Sequence, residues 1–166
     1  MVIDARGLAP GLVPAPDPTV ARVGAILRTV HDPEIPTVSI VDLGLVHDVR
    51  VEGGGRIAVQ LLPTFVACPA LEVIRTTVTD ALAVLGRPVE VSFTFAVPWT
   101  TERLTPVGRR GLAAAGIAPP AGPADVQCPF CASPNVAMDS AFGPTLCRSL
   151  FYCRSCRQPF EAFKPI

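Results

Sequence analysis

Two short cysteine pairs near the end of the chain limit its folding most. Cys128-Pro129-Phe130-Cys131 and Cys153-Arg154-Ser155-Cys156 are both C-x-x-C, with an arm of about twenty residues between them. Two thiolates three positions apart bend around one ion as a knuckle, and two knuckles close a tetrahedral all-sulfur shell. The spacing therefore predicts that Cys128, Cys131, Cys153 and Cys156 hold one zinc ion, with an iron–sulfur cluster as the alternative. A closed shell leaves no open coordination position, so the predicted role is structural. A module of ~40 residues has little core of its own, and the metal is expected to supply much of its folding energy.

The rest of the chain bounds the compartment and the partners. Six cysteines would suit a disulfide framework in a secreted domain, but four of them fall in close pairs, which fits metal binding in a reducing compartment. No run approaches the ~18 apolar residues of a membrane helix, and no basic segment followed by an apolar run marks a signal peptide at the start. A cytoplasmic protein with no membrane partner is expected. Fourteen basic and fourteen acidic residues give zero formal charge, whereas nucleic-acid binders usually carry a basic stripe. Only small local excesses occur, at Arg109-Arg110 and at Arg148, Arg154 and Arg157, so no nucleic-acid partner is expected.

Read in order, residues 1–16 carry glycine and proline without period and predict a flexible tail. Asp17-Pro18 reads as a helix start, with Val20, Val23, Ile26, Leu27 and Val30 on one face. Asp32-Pro33-Glu34-Ile35-Pro36 reads as a rigid acidic loop. Strands are expected over 45–51 and 57–62, turned at Gly53-Gly54-Gly55. Cys68-Pro69 reads as the start of a second helix that Gly86 ends, and alternation over 89–97 predicts a half-buried strand. Thr105-Pro106 caps a third helix running to about Ala115. The fold class is α+β: a helix-strand-strand-helix-strand domain over 17–117, a proline-stiffened linker over 118–125, and a zinc-ribbon β module over 126–166. Within the ribbon, segments 136–142 and 146–152 are expected to form a hairpin around Gly143-Pro144, with 159–163 as a third strand.

Cys68 differs in kind from the ribbon cysteines. A thiol at a helix start has its thiolate favoured by the dipole and becomes a nucleophile or soft-metal ligand; the competing reading is a small buried residue at a corner. Thr64 is placed to bring a hydroxyl nearby, and the loop acids Asp32, Glu34 and Asp42 are expected at the same end of the sheet. Taken singly, each acid also has a plain role as turn cap, solvated side chain or partner of loop amides. Cys147 has the wrong spacing for a ribbon knuckle; a packed thiol is its first reading and a part in cluster exchange the second. His31 and His47 belong to no metal-ligand set, and neither a Ser–His–Asp set nor a phosphate-cradling glycine loop can be read.

Asp32-Pro33-Glu34-Ile35-Pro36, Val41-Asp42-Leu43-Gly44-Leu45-Val46 and Thr64-Phe65-Val66-Ala67-Cys68-Pro69 resemble the MIP-type (SufT-like) iron–sulfur assembly family. Together with Pro98-Trp99-Thr100-Thr101, Gly108-Arg109-Arg110, Gly116-Ile117-Ala118-Pro119-Pro120 and the terminal ribbon, the chain resembles the PaaD (PaaJ) family. Its members are small accessory subunits of the bacterial ring-1,2-phenylacetyl-CoA epoxidase system of phenylacetate catabolism. The resemblance covers about residues 18 to 166. It implies an accessory protein without catalytic residues, which assists assembly of iron or Fe–S centres in the oxygenase and reductase subunits of that system. It carries Cys68 as the cluster-handling thiol with Asp32, Glu34, Asp42 and Thr64 around it, and the four ribbon cysteines as ligands. A structural scaffold subunit is the first alternative and a nucleic-acid-binding zinc ribbon the second, and a homodimer is left open. The family's Phe-Lys-Cys ending is here Phe163-Lys164-Pro165, so a fifth ribbon ligand at that place does not apply to this chain.

Overall fold

The computed structural model describes residues 18–65 and 68–166; the expected tail, the Asp17 cap and residues 66–67 lie outside them. Helix α1 (Pro18–Leu27) is followed by strands β1 (His31–Asp32), β2 (Ile35–Ser39), β3 (Val46–Val51) and β4 (Ile57–Leu61), helix α2 (Leu71–Ala83), strand β5 (Val89–Phe93) and helix α3 (Pro106–Ala114). Strands β6 (Ile117–Ala118), β7 (Val136–Ser140), β8 (Arg148–Cys153) and β9 (Pro159–Phe163) complete the chain. The architecture is α+β with a β-rich four-cysteine module at the C-terminus, as expected.

The first sheet runs β3-β4-β5, with β3 antiparallel and β5 parallel to the central β4. In β4 the alternation of Ile57, Val59 and Leu61 puts all three side chains at 0% exposure, against Ile74, Val78 and Leu82 of α2 and Val23 and Leu27 of α1. The residues of α2 recur every fourth position, so they form one stripe. Gly54 and Gly55 take φ of 81° and 82° in the β3–β4 turn, where a side chain would be strained.

Three strand assignments differ from expectation. The acidic loop is a hairpin: β1 pairs antiparallel with β2, with Asp32 opposite Ile35. Pro33 supplies the turn's fixed φ, and the Asp32 carboxylate accepts from the Glu34 amide at 2.8 Å, an Asx turn. The last strand of the first sheet stops at Phe93; Phe95 and Val97 are 58% and 40% exposed, beyond the end of the β4 ladder. Ala118, expected in the linker, instead lies in β6, parallel to β9 in the ribbon sheet.

That second sheet has the order β6-β9-β8-β7. It is docked on the first domain rather than tethered to it. Phe163 faces the main core at 2% exposure, while Phe160 and Ala162 on the same strand serve the ribbon's own core. The Phe163 ring lies 5.7 Å from that of Trp99, whose indole N–H donates to the Leu43 carbonyl at 3.0 Å. Arg148, 6% exposed, joins the two parts: one guanidinium nitrogen donates to Glu161 at 2.7 Å and another to the Glu34 carbonyl at 3.1 Å.

Candidate metal centres

The ribbon cysteines stand on two knuckles with one backbone plan. In the first, the Ala132 amide donates to the Cys128 carbonyl at 2.8 Å; in the second, Arg157 donates to Cys153 at 2.9 Å. Ala132 and Arg157, each just after the second cysteine, take φ of 57° and 62°, which turns the chain sharply enough to bring both sulfurs to one side. Cys128 and Cys153 in turn donate through their amides to the carbonyls of Ser133 and Gln158, each five residues on. The serine hydroxyls Ser133 and Ser155 meet at 2.8 Å across the pair.

The four Sγ atoms lie within 4.8 Å of one another, with Cys128–Cys156 at 3.6 Å and Cys131–Cys153 at 3.7 Å. A tetrahedron with metal–sulfur bonds of about 2.3 Å has edges of about 3.8 Å, so spacing and donor chemistry both fit a four-thiolate metal ion. The cluster's acidities are split. The Cys156 amide first of all draws the Cys153 thiol down to about 7, whereas burial, followed by the crowding of its sulfur neighbours, pushes Cys156 up to about 12. Four thiolates this close stay charged together only around a cation.

A second constellation gathers where the domains meet. Cys68, Thr64, Asp32 and Glu34 line one cavity of about 30 Å³, and Cys147 and Arg148 of the ribbon close it from the other side. Cys68 does not open α2 as expected: the helix starts at Leu71 with Ala70 as its cap, so the thiol lies outside the first turn, where the dipole acts. Burial is the largest influence on it and raises its pKa, partly offset by the Ala70 amide and reinforced by the charges of Asp32, Cys147 and Glu34. The expected dipole-activated thiolate is thus replaced by a thiol held protonated until something displaces the proton.

Asp32 is 8% exposed, and burial raises its pKa against the pull of the Glu34 and Ile35 amides and of Arg148. A carboxyl raised in the folded state binds more protons than the unfolded chain between about 3.9 and its folded pKa, so it removes stability as pH rises through that window. Asp32→Asn, whose amide oxygen still accepts from Glu34, is therefore expected to melt higher than wild type at pH 7. The advantage should vanish as pH falls toward about 4. Thermal melts at the two pH values check this; equal melting at pH 7 would remove the burial penalty from Asp32.

Asp42 has a different place from the one expected. Its carboxylate accepts from the hydroxyls of Ser39 at 2.7 Å and Thr105 at 2.8 Å, which, against the opposing effect of burial, hold its pKa below the usual range. Thr105 in turn caps α3 by accepting from the Gly108 amide at 3.0 Å. Any Cβ on Gly108 would stand 2.3 Å from the Asp42 carbonyl. Asp42 therefore pins α3 to the loop after β2, and it is absent from the lining of the Cys68 cavity. Gly44 sits in the same loop at φ 75°, where a Cβ would meet Arg103 at 2.5 Å. Arg148 and the opposed face of the ribbon are what sequence reading missed at this site; Cys147, with cluster exchange as its second reading, was the one signal. His31 and His47 are exposed and line no part of it.

Comparison with known proteins places both halves. Residues 115–164 match the PaaD zinc beta ribbon domain, and residues 21–93 match the iron-sulfur cluster assembly protein family. The chain is 40% identical over 157 residues, 90% of this chain and 94% of the relative, to a putative subunit of the 1,2-phenylacetyl-CoA epoxidase of Escherichia coli. The chain belongs to the PaaD family. Its N-terminal half is also 37% identical, over 48% of this chain and 77% of the relative, to an Fe-S protein maturation auxiliary factor of Porphyromonas gingivalis. Among solved structures it resembles the domain of unknown function DUF59 from Bacillus anthracis, with TM-score 0.52 and 29% identity, covering 56% of this chain and 90% of that one. The 21–93 segment contains the β3-β4-β5 sheet and the 115–164 segment the ribbon sheet. No described helix is long and apolar enough to cross a membrane.

Proposed function

We propose that this PaaD-family chain is a cytoplasmic, non-catalytic maturation subunit that assists assembly of iron or Fe–S centres in the oxygenase and reductase subunits of a phenylacetyl-CoA epoxidase. The observation that carries the reading is the Cys68 cavity: a half-buried thiol beside the buried carboxyl of Asp32, within the segment related to iron–sulfur assembly proteins. Support for the partner comes from the match to the Escherichia coli epoxidase protein over both halves of the chain. Cys68, Asp32, Glu34 and Thr64 are the handling residues, and the metal they hold is cargo. Asp42 acts on them only through the loop it fixes.

Cys128, Cys131, Cys153 and Cys156 would hold a resident zinc ion, whose contribution is a closed structural shell with no open position for a substrate. The charges speak against a nucleic-acid role: Arg109 donates to the carbonyls of Pro120 and Thr101, and Arg148 is buried, so part of the local basic excess is spent inside the fold.

The test is a strain whose only copy of this subunit carries Cys68→Ser. The variant is expected to keep its fold and zinc content while the partner subunits emerge iron-poor, with epoxidase activity reduced at least ~10-fold. Normal partner iron would turn the reading to a scaffold subunit. In that case, deleting residues 126–166 would break co-purification while Cys68→Ser stayed silent.

A further inference from the structure

The handling residues named above leave one thiol unused. Cys147 is half-buried and lies outside the ribbon's metal shell. Its carbonyl accepts from the Lys164 amide at 2.9 Å, and the Thr145 hydroxyl sits 3.2 Å from its sulfur, so the turn before β8 is fixed at both ends. That turn faces Cys68. The two cysteines share the lining of the cavity with Asp32 and Arg148. They also share a smaller adjoining one, where Thr64, Phe65 and Cys68 stand opposite Thr145, Leu146 and Cys147.

A second, independent feature points to a ligand there. Among the described residues the Nε–H of Arg148 finds no acceptor, and its side chain is one of their buried polar groups at 6% exposure. Its terminal nitrogens are both engaged. A buried donor without a partner is costly, and here it belongs to a residue that walls the cavity. A bare cation would be repelled by the guanidinium; a cation arriving with a small anion would place an acceptor beside it.

We infer that Cys68 and Cys147, one from each domain, act together as the two thiolate ligands of a transiently bound thiophilic divalent cation, accompanied by a small anion that accepts from Arg148 Nε. The inference rests on the metal-handling role of Cys68 and specifies its chemistry. Binding displaces one proton from each thiol and forms two metal–sulfur bonds, with no change of oxidation state. Among the described residues only the ribbon set has three or more donors all within 4.8 Å. The pair therefore supplies two ligands and leaves the remaining positions to exchangeable groups. An incomplete shell of this kind hands its metal on, whereas the ribbon's closed shell keeps it. The ribbon thereby contributes half of the handling site.

The test titrates Co²⁺ anaerobically into the full chain carrying zinc in its ribbon. One further Co²⁺ per chain should bind, with a sulfur-to-cobalt charge-transfer band, and should protect both Cys68 and Cys147 from alkylation, read by mass spectrometry on wild type. Cys68→Ser and Cys147→Ser should each weaken binding at least ~10-fold and lower the band by roughly half, with zinc content and circular dichroism unchanged. The double variant should show no second site. If Cys147→Ser binds Co²⁺ as wild type does while Cys68→Ser does not, the pair is overturned and the Cys68 reading stands. If wild type takes up no second ion, the pair is overturned, and partner iron content in the Cys68→Ser strain judges the maturation role separately.

Discussion

Cys153→Ser is expected to abolish ribbon metal binding and to lower the stability of the whole chain, not of the ribbon alone. Cys153 is fully buried and ends β8, where the metal shell and the ribbon's own core coincide. Structural zinc contributes roughly 10–16 kcal/mol of apparent binding free energy in isolated fingers, comparable with the entire ~5–15 kcal/mol stability of an ordinary domain. Once the knuckles open, β8 and β9 lose their anchor, and Phe163 leaves the core it shares with Leu27, Leu43 and Leu82. Metal analysis should show one zinc per wild-type chain and none in the variant. Thermal melts with and without a strong chelator should differ by tens of degrees for wild type only. A chelator-insensitive melt would show that the ribbon stands on its hydrophobic packing, and a brown, visibly absorbing protein would replace zinc with an iron–sulfur cluster.

The second large effect concerns the joint between the domains. Phe163→Ala should destabilise the protein by about 3–5 kcal/mol, the usual cost of emptying a buried aromatic position. It removes the ring packed against Trp99 and opens the seam that also holds the Arg148–Glu34 bond. Trp99 is the chain's single tryptophan, so its fluorescence reports the seam directly. Denaturant unfolding followed by Trp99 emission should show an earlier transition, with the zinc content kept. A loss under ~1 kcal/mol would mean that the ribbon is attached by its chain connection and little else.

Much of this molecule was legible in its residues because the determining interactions are local. The double C-x-x-C spacing specifies a knuckle geometry that each turn makes within itself, and the observed hydrogen bonds repeat from one knuckle to the other. Thr105-Pro106 announced α3, and the threonine hydroxyl caps the helix because capping spans only three residues. The acidic loop was misread because a two-residue strand has no periodicity to detect; only its partner β2 makes it a strand.

The candidate site divides along the same line. From sequence alone came the four ribbon cysteines and the grouping of Cys68 with Asp32, Glu34 and Thr64; the knuckle pairs, Asp32 with Glu34, and Thr64 with Cys68 are each close in the chain. The placing of Asp42 on the capping threonine of α3 and the arrival of Cys147 and Arg148 were decided by tertiary packing. Arg148 reaches the Glu34 carbonyl across 114 positions of sequence. Such a contact exists only because Phe163 and Trp99 bury a common apolar surface, and burial is indifferent to sequence separation. The sequence by itself determined two modules and one cluster of four cysteines; the packing of one against the other determined that a thiol from each faces the same cavity.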